Sequence, residues 1–274
     1  MLALTASLVF GVSNFLAGTE SRRRSVWSVT VVSQPAALAV AAVMLALSQT
    51  PLGEPGRILV AFLGGLAGGC AVIFYYLALA SGTMTVVAPI VAACAVAPVL
   101  AGIASGERAS ALQYAGMALA LGGIVLSSRA EAKGGGRVGL RSVLLAVAAA
   151  AGFGAMMIGL SVGADYDVYW SLFASRVGAT AVILGYTVVR RPRLDVSLRS
   201  LPVLAAVGVL AVAAHGLYTA ATTLGYLSIV AVLASLDPVV IAVLAHVLLH
   251  ERLTRLQSTA ATIVLAGVVL LAAG

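Results

Sequence analysis

The chain has 274 residues, of which 62% are hydrophobic and only 9% are charged. A soluble domain carries about 25% charged residues, so this composition excludes a water-facing globule and specifies a polytopic membrane protein. The net charge of +7 does not imply a nucleic-acid partner, because the basic residues lie in short loops and form no compact face to meet phosphates.

A membrane span needs about 20 apolar residues. Splitting the chain at its charged and Gly/Pro/Ser clusters predicts helices near 3–19, 26–48, 57–80, 83–104 and 110–128. A second group follows near 140–161, 168–189, 200–222, 226–249 and 254–273. The breaks at Ser81-Gly82 and at Thr223 to Gly225 rest on length alone. The expected fold is an all-α integral membrane protein of ten transmembrane helices. Residues 2–18 carry no charge, and the cluster TESRRR follows that run instead of preceding it, so a cleaved secretory signal is not expected. Cys70 and Cys94 fall inside apolar runs and read as small packing residues.

The polar, glycine-rich stretch RAEAKGGGRVGLR divides the chain nearly in half, giving units 1–130 and 140–274 joined by a linker at 131–139. The halves repeat. GERASALQYAGMALALGGIVL aligns with HERLTRLQSTAATIVLAGVVL, and eight of the twenty positions from Glu107/Glu251 to Leu126/Leu270 are identical. Upstream, Phe10-Gly11 matches Phe153-Gly154, Trp27 matches Trp170, and Tyr75 matches Tyr218. Five helices per copy is an odd number, so the second copy enters the membrane inverted. Inverted repeats characterise secondary transporters, whose substrate site lies near the midplane between the halves.

The segments DPVVIAVLAHVLLHERLTRLQ (237–257), SGERASALQYAG (105–116) and FGVSNFLAG (10–18) resemble the drug/metabolite transporter superfamily, in particular its ten-helix EamA-type members with two five-helix repeats. The resemblance implies a transporter of small metabolites, with export, uniport or proton antiport as the mode. One departure concerns the family's proline thirteen residues before the helix-ending Glu. It is present as Pro238, whereas the first repeat has Cys94 there and places its prolines at Pro89 and Pro98. Pro238, Pro89 and Pro98 are the expected helix breaks, and Pro238 is expected to bend its helix and free backbone carbonyls where it lines a cavity.

Ten spans put both termini on one side. Loops on the other side carry Arg22, Arg23, Arg24, Arg129, Lys133, Arg137, Arg141, Arg190, Arg191, Arg193, Arg199, Arg252 and Arg255, against Arg57 and Arg108 on the terminal side. Positive loops stay in the cytoplasm, so the charge bias turns the termini outward, while the family habit is cytoplasmic termini. One lysine to fifteen arginines points to a GC-rich bacterial genome, and thus to the cell membrane of a bacterium.

Three ionisable side chains of the second half lie inside spans. From the terminal face Arg176 is about 12 Å deep, His215 about 10 Å and Asp237 about 16 Å. Isolated, such a charge costs on the order of 3 kcal/mol. Around a water-filled cavity, Arg176 suits a carboxylate, Asp237 an ammonium or a coupled proton, and His215 a change of protonation. Asn14, Gln34, Tyr75 and Tyr76 are the neutral candidates of the first half. Trp170 and Tyr218 are aromatic candidates, with interface anchoring the alternative for Trp170. His246 and His250 lie near a helix end and complete no metal-ligand spacing. Ser110/Gln113 and Thr254/Gln257 read as capping boxes, and Glu107 and Glu251 as helix ends paired with Arg108 and Arg252.

The expectation is a secondary transporter moving a small metabolite, an amino acid or amphipathic compound, outward by alternating access. Its partners are that substrate, the bilayer and protons as coupling ion; no cofactor is expected, and a monomer suffices. No GxxxxGK[ST] occurs, so ATP drive is not expected. The rival reading is a membrane-embedded enzyme acting on a lipid-linked substrate. Its nearest candidates, Asp165 and Asp167 in GADYDV, are expected to have no basic partner on their face.

Overall fold

The computed structural model describes residues 1–81, 87, 90–130, 140–249 and 255–273. Its regular elements, among the described residues, are all helices. α1 is Leu2–Ser21, α2 Val26–Ser48 and α3 Pro55–Ser81. A 3-10 turn at Ala93–Ala95 leads into α4, Val96–Ala104, and α5 is Ala111–Ala130. The second half holds α6 (Leu140–Ala164), α7 (Val168–Arg190), α8 (Leu201–Thr222), α9 (Leu227–Ala234), α10 (Asp237–Leu249) and α11 (Arg255–Ala273).

Among the described residues, seven helical segments are long and apolar enough to cross a membrane, α9 and α10 counting together as Leu227–Leu248. Three shorter apolar helices lie at Ile90–Ala104, Ala111–Leu126 and Thr259–Leu271. The protein is a multi-pass membrane protein. Its helices are apolar on every face, as lipid on one side and protein on the other require.

Small residues decide which helices meet. α3 lies against α6 and α7, and α8 lies against α1 and α2. A Cβ added to Gly65 on α3 would strike the backbone carbonyl of Ser175 on α7, and one added to Gly208 on α8 would strike that of Ser33 on α2. With no hydrophobic drive between helices in lipid, this close backbone approach supplies the dispersion contacts that join them. α2 also meets α7, α1 meets α9 and α10, α4 meets α6 and α9, and α5 meets α11. The largest cluster of buried apolar residues, with Leu160, Leu172, Val212 and Tyr218, ties α6, α7 and α8 to α1 and α2.

Two of the expected breaks differ in kind from the reading above. Pro238 does not interrupt a helix; α9 ends at Ala234, Ser235 and Leu236 turn, and Pro238 is the second residue of α10. There its missing N–H costs nothing, since first-turn amides have no intrahelical acceptor. Pro98 lies inside the apolar helix Ile90–Ala104, where the 3-10 stretch at Ala93–Ala95 tightens the helix without ending it. Pro89 lies outside the described residues. Pro35, in the middle of α2, also lies inside a helix, and the sequence reading passed over it.

Candidate functional site

The turn at Ser235-Leu236 puts Asp237 at the first position of α10, where the positive end of the helix dipole favours an anion. Asn14 of α1 donates its Nδ2 hydrogen bond to Asp237 Oδ2 at 2.8 Å. Gly11, one turn before Asn14, makes that contact possible, because any Cβ there would strike the Val240 side chain of α10.

Asn14 is about 18 Å along α1 from its start and is nonetheless exposed. It shares a helix face with Gly11 and Phe10, which touch protein. Gly18, a further turn along that face, has nothing within 4 Å of an added Cβ.

Arg176 on α7 is 3% exposed. Its Nε has no hydrogen-bond partner, and its Nη2 meets only the thioether of Met156, at 4.0 Å. Among the described residues no carboxylate pairs with it. Gln34 Oε1 and Ser175 Oγ, on the same α2–α7 contact, are also buried without partners, and Thr180 Oγ1 donates to the Gln34 carbonyl at 3.4 Å. His215 Nδ1 is 2.6 Å from the Ala211 carbonyl, which can only accept, so the proton is on Nδ1 and the Nε2 lone pair is free to serve as an acceptor. The edge of the Phe10 ring meets His215 at a centroid distance of 4.7 Å. Phe10 and Asn14 are one turn apart, so α1 touches His215 with one residue and Asp237 with the other. The structure thus brings Asn14 to Asp237 directly, leaves Arg176 without a counter-ion, and sets Phe10 beside His215.

The aromatic candidates fall in three places. Tyr218 is 1% exposed and donates its hydroxyl to the Met157 carbonyl at 3.1 Å. Tyr75 and Tyr76 form one cluster with Trp27, which stacks on Tyr186 at 4.6 Å, near the arginine-rich face. Trp170 lies near the opposite face, in the first turn of α7, where its indole N–H donates to the Thr50 carbonyl at 3.1 Å.

That opposite face, which also holds the N-terminus, is clasped. Arg57 pairs with Glu54 at 2.6 Å and with Asp165 at 2.7 Å, and the Tyr166 hydroxyl donates to the Pro51 carbonyl at 2.7 Å. Asp167 caps α7 by accepting from the Trp170 backbone N–H at 2.8 Å. The expectation that Asp165 has no basic partner on its face is therefore corrected: Arg57 is that partner. Both carboxylates make structural bonds here. The Ser110/Gln113 capping box is formed reciprocally, at 2.8 and 3.1 Å. Thr254 and Glu251 lie outside the described residues, as does His250. Glu107, expected to pair with Arg108, instead turns its carboxylate to the backbone of α9.

Comparison with known proteins agrees with this architecture. A model of the EamA-like transporter family matches residues 140–273. A solved crystal structure superposes on the chain with a TM-score of 0.77 at 20% identity, covering 98% of this chain and 98% of that one, a likeness of fold alone. No curated protein matches in a sequence search.

Proposed function

We propose that the chain is a membrane transporter of small molecules that works by alternating access between two inverted five-helix repeats, 1–130 and 140–274; the match of residues 140–273 to the EamA-like transporter family and the drug/metabolite transporter resemblance support it. The ten spans of this reading are the seven long and three short apolar helices. Exchange symmetry of the packing supports it. Swapping halves turns the α3–α6 contact into α8–α1 and the α3–α7 contact into α8–α2, while α2–α7 and α5–α11 map onto themselves. The tight spots follow the same rule: Gly11 faces Val240 of α10, and its repeat partner Gly154 faces Ala97 of α4 and the Cys94 carbonyl. Each fourth helix is interrupted at neighbouring places of the repeat, by the Ala93–Ala95 turn and, two residues earlier in the alignment, by Ser235-Leu236, and the two helices meet where α4 packs on α9.

One observation carries the substrate class. Arg176 is a buried guanidinium without a carboxylate, and Asp237 is a carboxylate whose described partner is the neutral Asn14. Charges without a counter-ion inside a membrane protein are costly and mark a ligand or ion site by default, which supports this reading. A small zwitterion or amphipathic metabolite such as an amino acid fits. Arg176 takes its carboxylate and Asp237 its ammonium or, in turn, a coupled proton. His215 offers Nε2 as a proton acceptor beside Arg176, and Gln34, Tyr75, Tyr76, Trp170 and Tyr218 complete the walls and entrances. The transport is outward, driven by a proton gradient, through a monomer in a bacterial cell membrane.

Flux in proteoliposomes tests this reading. Labelled amino acids and amphipathic amines or acids are screened with and without a pH gradient, and saturable, gradient-dependent flux of at least one zwitterion is expected. Flux confined to singly charged compounds sinks the zwitterion assignment. Orientation is read separately, with an impermeant maleimide applied to intact cells. Leu52 is 70% exposed in the clasped loop and Leu198 is 86% exposed in an arginine-rich loop. The charge bias predicts labelling of Leu52→Cys and not of Leu198→Cys; the reverse pattern turns the molecule over.

A further inference from the structure

α9 follows the loop at Thr223 to Tyr226 directly. The first amides of a helix have no intrahelical acceptor and need one from elsewhere. Tyr226, at the N-cap position, makes no side-chain bond. The acceptor comes from the other half of the chain. Glu107, in the turn between α4 and α5, accepts from the backbone N–H of Leu227 at 2.6 Å and of Ser228 at 3.1 Å. The turn is shaped around this carboxylate: a Cβ at Gly102 would strike it, and Gly106 has φ +92°, a left-handed geometry that glycine takes without strain. The negative charge also sits at the positive end of the α9 dipole.

From this cap α9 runs as a short rod. Ser228, Val230, Ala231, Val232 and Ala234 are all buried, so the helix is gripped along its length. Eight residues give about 12 Å of rise, followed by the two-residue turn and then Asp237. Whatever fixes the start of α9 fixes the depth of Asp237. A hydrogen bond to a carboxylate tolerates only a few tenths of an ångström of slack, so an axial slip of about 1 Å breaks the Asn14–Asp237 contact.

We infer that Glu107 is a positioning residue for Asp237, holding α9 in the axial register at which Asp237 meets Asn14; the consequence for transport rests on the reading of Asp237 given above. The register itself is measurable without any substrate. In the full chain carrying Cys70→Ser and Cys94→Ser, the pair Asn14→Cys with Asp237→Cys reports the α1–α10 register through bridging by dibromobimane, which fluoresces when it joins two nearby thiols. The pair Thr50→Cys with Asp167→Cys, whose native side chains approach to 3.4 Å in the clasped face, is the control that does not involve α9.

Glu107→Gln keeps the side-chain volume and one acceptor oxygen but loses the charge and the second acceptor. It is expected to slow the Asn14/Asp237 bridge about tenfold, thiol bridging being steeply dependent on distance, and to leave the Thr50/Asp167 bridge unchanged. Equal rates for the first pair with and without Glu107 overturn the inference. A similar loss at both pairs also overturns it, because it reduces Glu107 to general stability. A first pair that does not bridge even with Glu107 intact does so as well, by removing the contact being positioned. If Glu107→Gln does not purify as a folded chain, Gly102→Ala displaces the carboxylate without neutralising it, and the same selective slowing is expected. A failed flux screen touches none of these rates, so the two readings fail separately.

Discussion

Arg176→Gln is expected to lower substrate flux at limiting concentration by a factor of about 10–100 while leaving the protein as stable as before, or more so. The flux estimate follows from the loss of a charged hydrogen bond to a carboxylate, about 1.5–3 kcal/mol. The stability estimate has the opposite sign to that of a structural arginine. Removing one member of a buried ion pair costs about 3–5 kcal/mol because the other charge is stranded, but Arg176 has no carboxylate partner among the described residues. Glutamine therefore relieves a desolvation penalty instead of creating one. Thermal unfolding in detergent and initial flux rates on the same preparations decide it; a large drop in midpoint together with the flux would make Arg176 architectural. Arg176→Lys retains the charge without the planar fork and falls between. Asp237→Asn keeps a group able to bond Asn14 while losing the charge. It is expected to abolish the effect of a pH gradient and to preserve substrate exchange, and an unchanged pH dependence sinks proton coupling through Asp237.

Leucine at Gly65 or at Gly208 is expected to abolish folding in the membrane. In each case the new Cβ meets a backbone carbonyl, of Ser175 or of Ser33, and neither can rotate away. Overpacking a well-packed contact costs about 1–3 kcal/mol where side chains can give, and more where helix axes must separate. The two substitutions are repeat-equivalent, so their effects should match. Gly18→Ala is the contrast, since its Cβ has open space, and its midpoint should stay within about 0.5 kcal/mol of the parent. Size-exclusion profiles before and after heating measure all three. A monodisperse, heat-stable Gly65→Leu protein would mean that α3 and α7 do not approach as closely as described.

The elements whose position was legible in the sequence are those set by local chemistry. The capping box at Ser110 and Gln113 was readable because both partners lie within one turn. Helix ends at Ser48 and Arg190 fall close to the expected boundaries because polar residues mark them, and the end at Thr222 because a span has a limited length. The place of Pro238 at a helix start was not legible, because periodicity does not distinguish a kink from a turn followed by a new helix. Asp165 and Glu107 were misjudged for one reason: their partners, Arg57 and the amides of α9, are about a hundred residues away.

By itself the sequence determined the solvent of this protein and the positions and lengths of its apolar runs. Each is fixed by composition or by spacing along one helix, where 1.5 Å per residue converts position into depth. The tertiary structure alone decided that Asn14 meets Asp237, that Arg176 meets no carboxylate, that Asp165 is taken by Arg57, and that Glu107 closes the start of α9. Those are contacts between helices, selected by where glycine lets two backbones approach, and in a chain apolar on every face no periodic pattern records which side of a helix faces which neighbour.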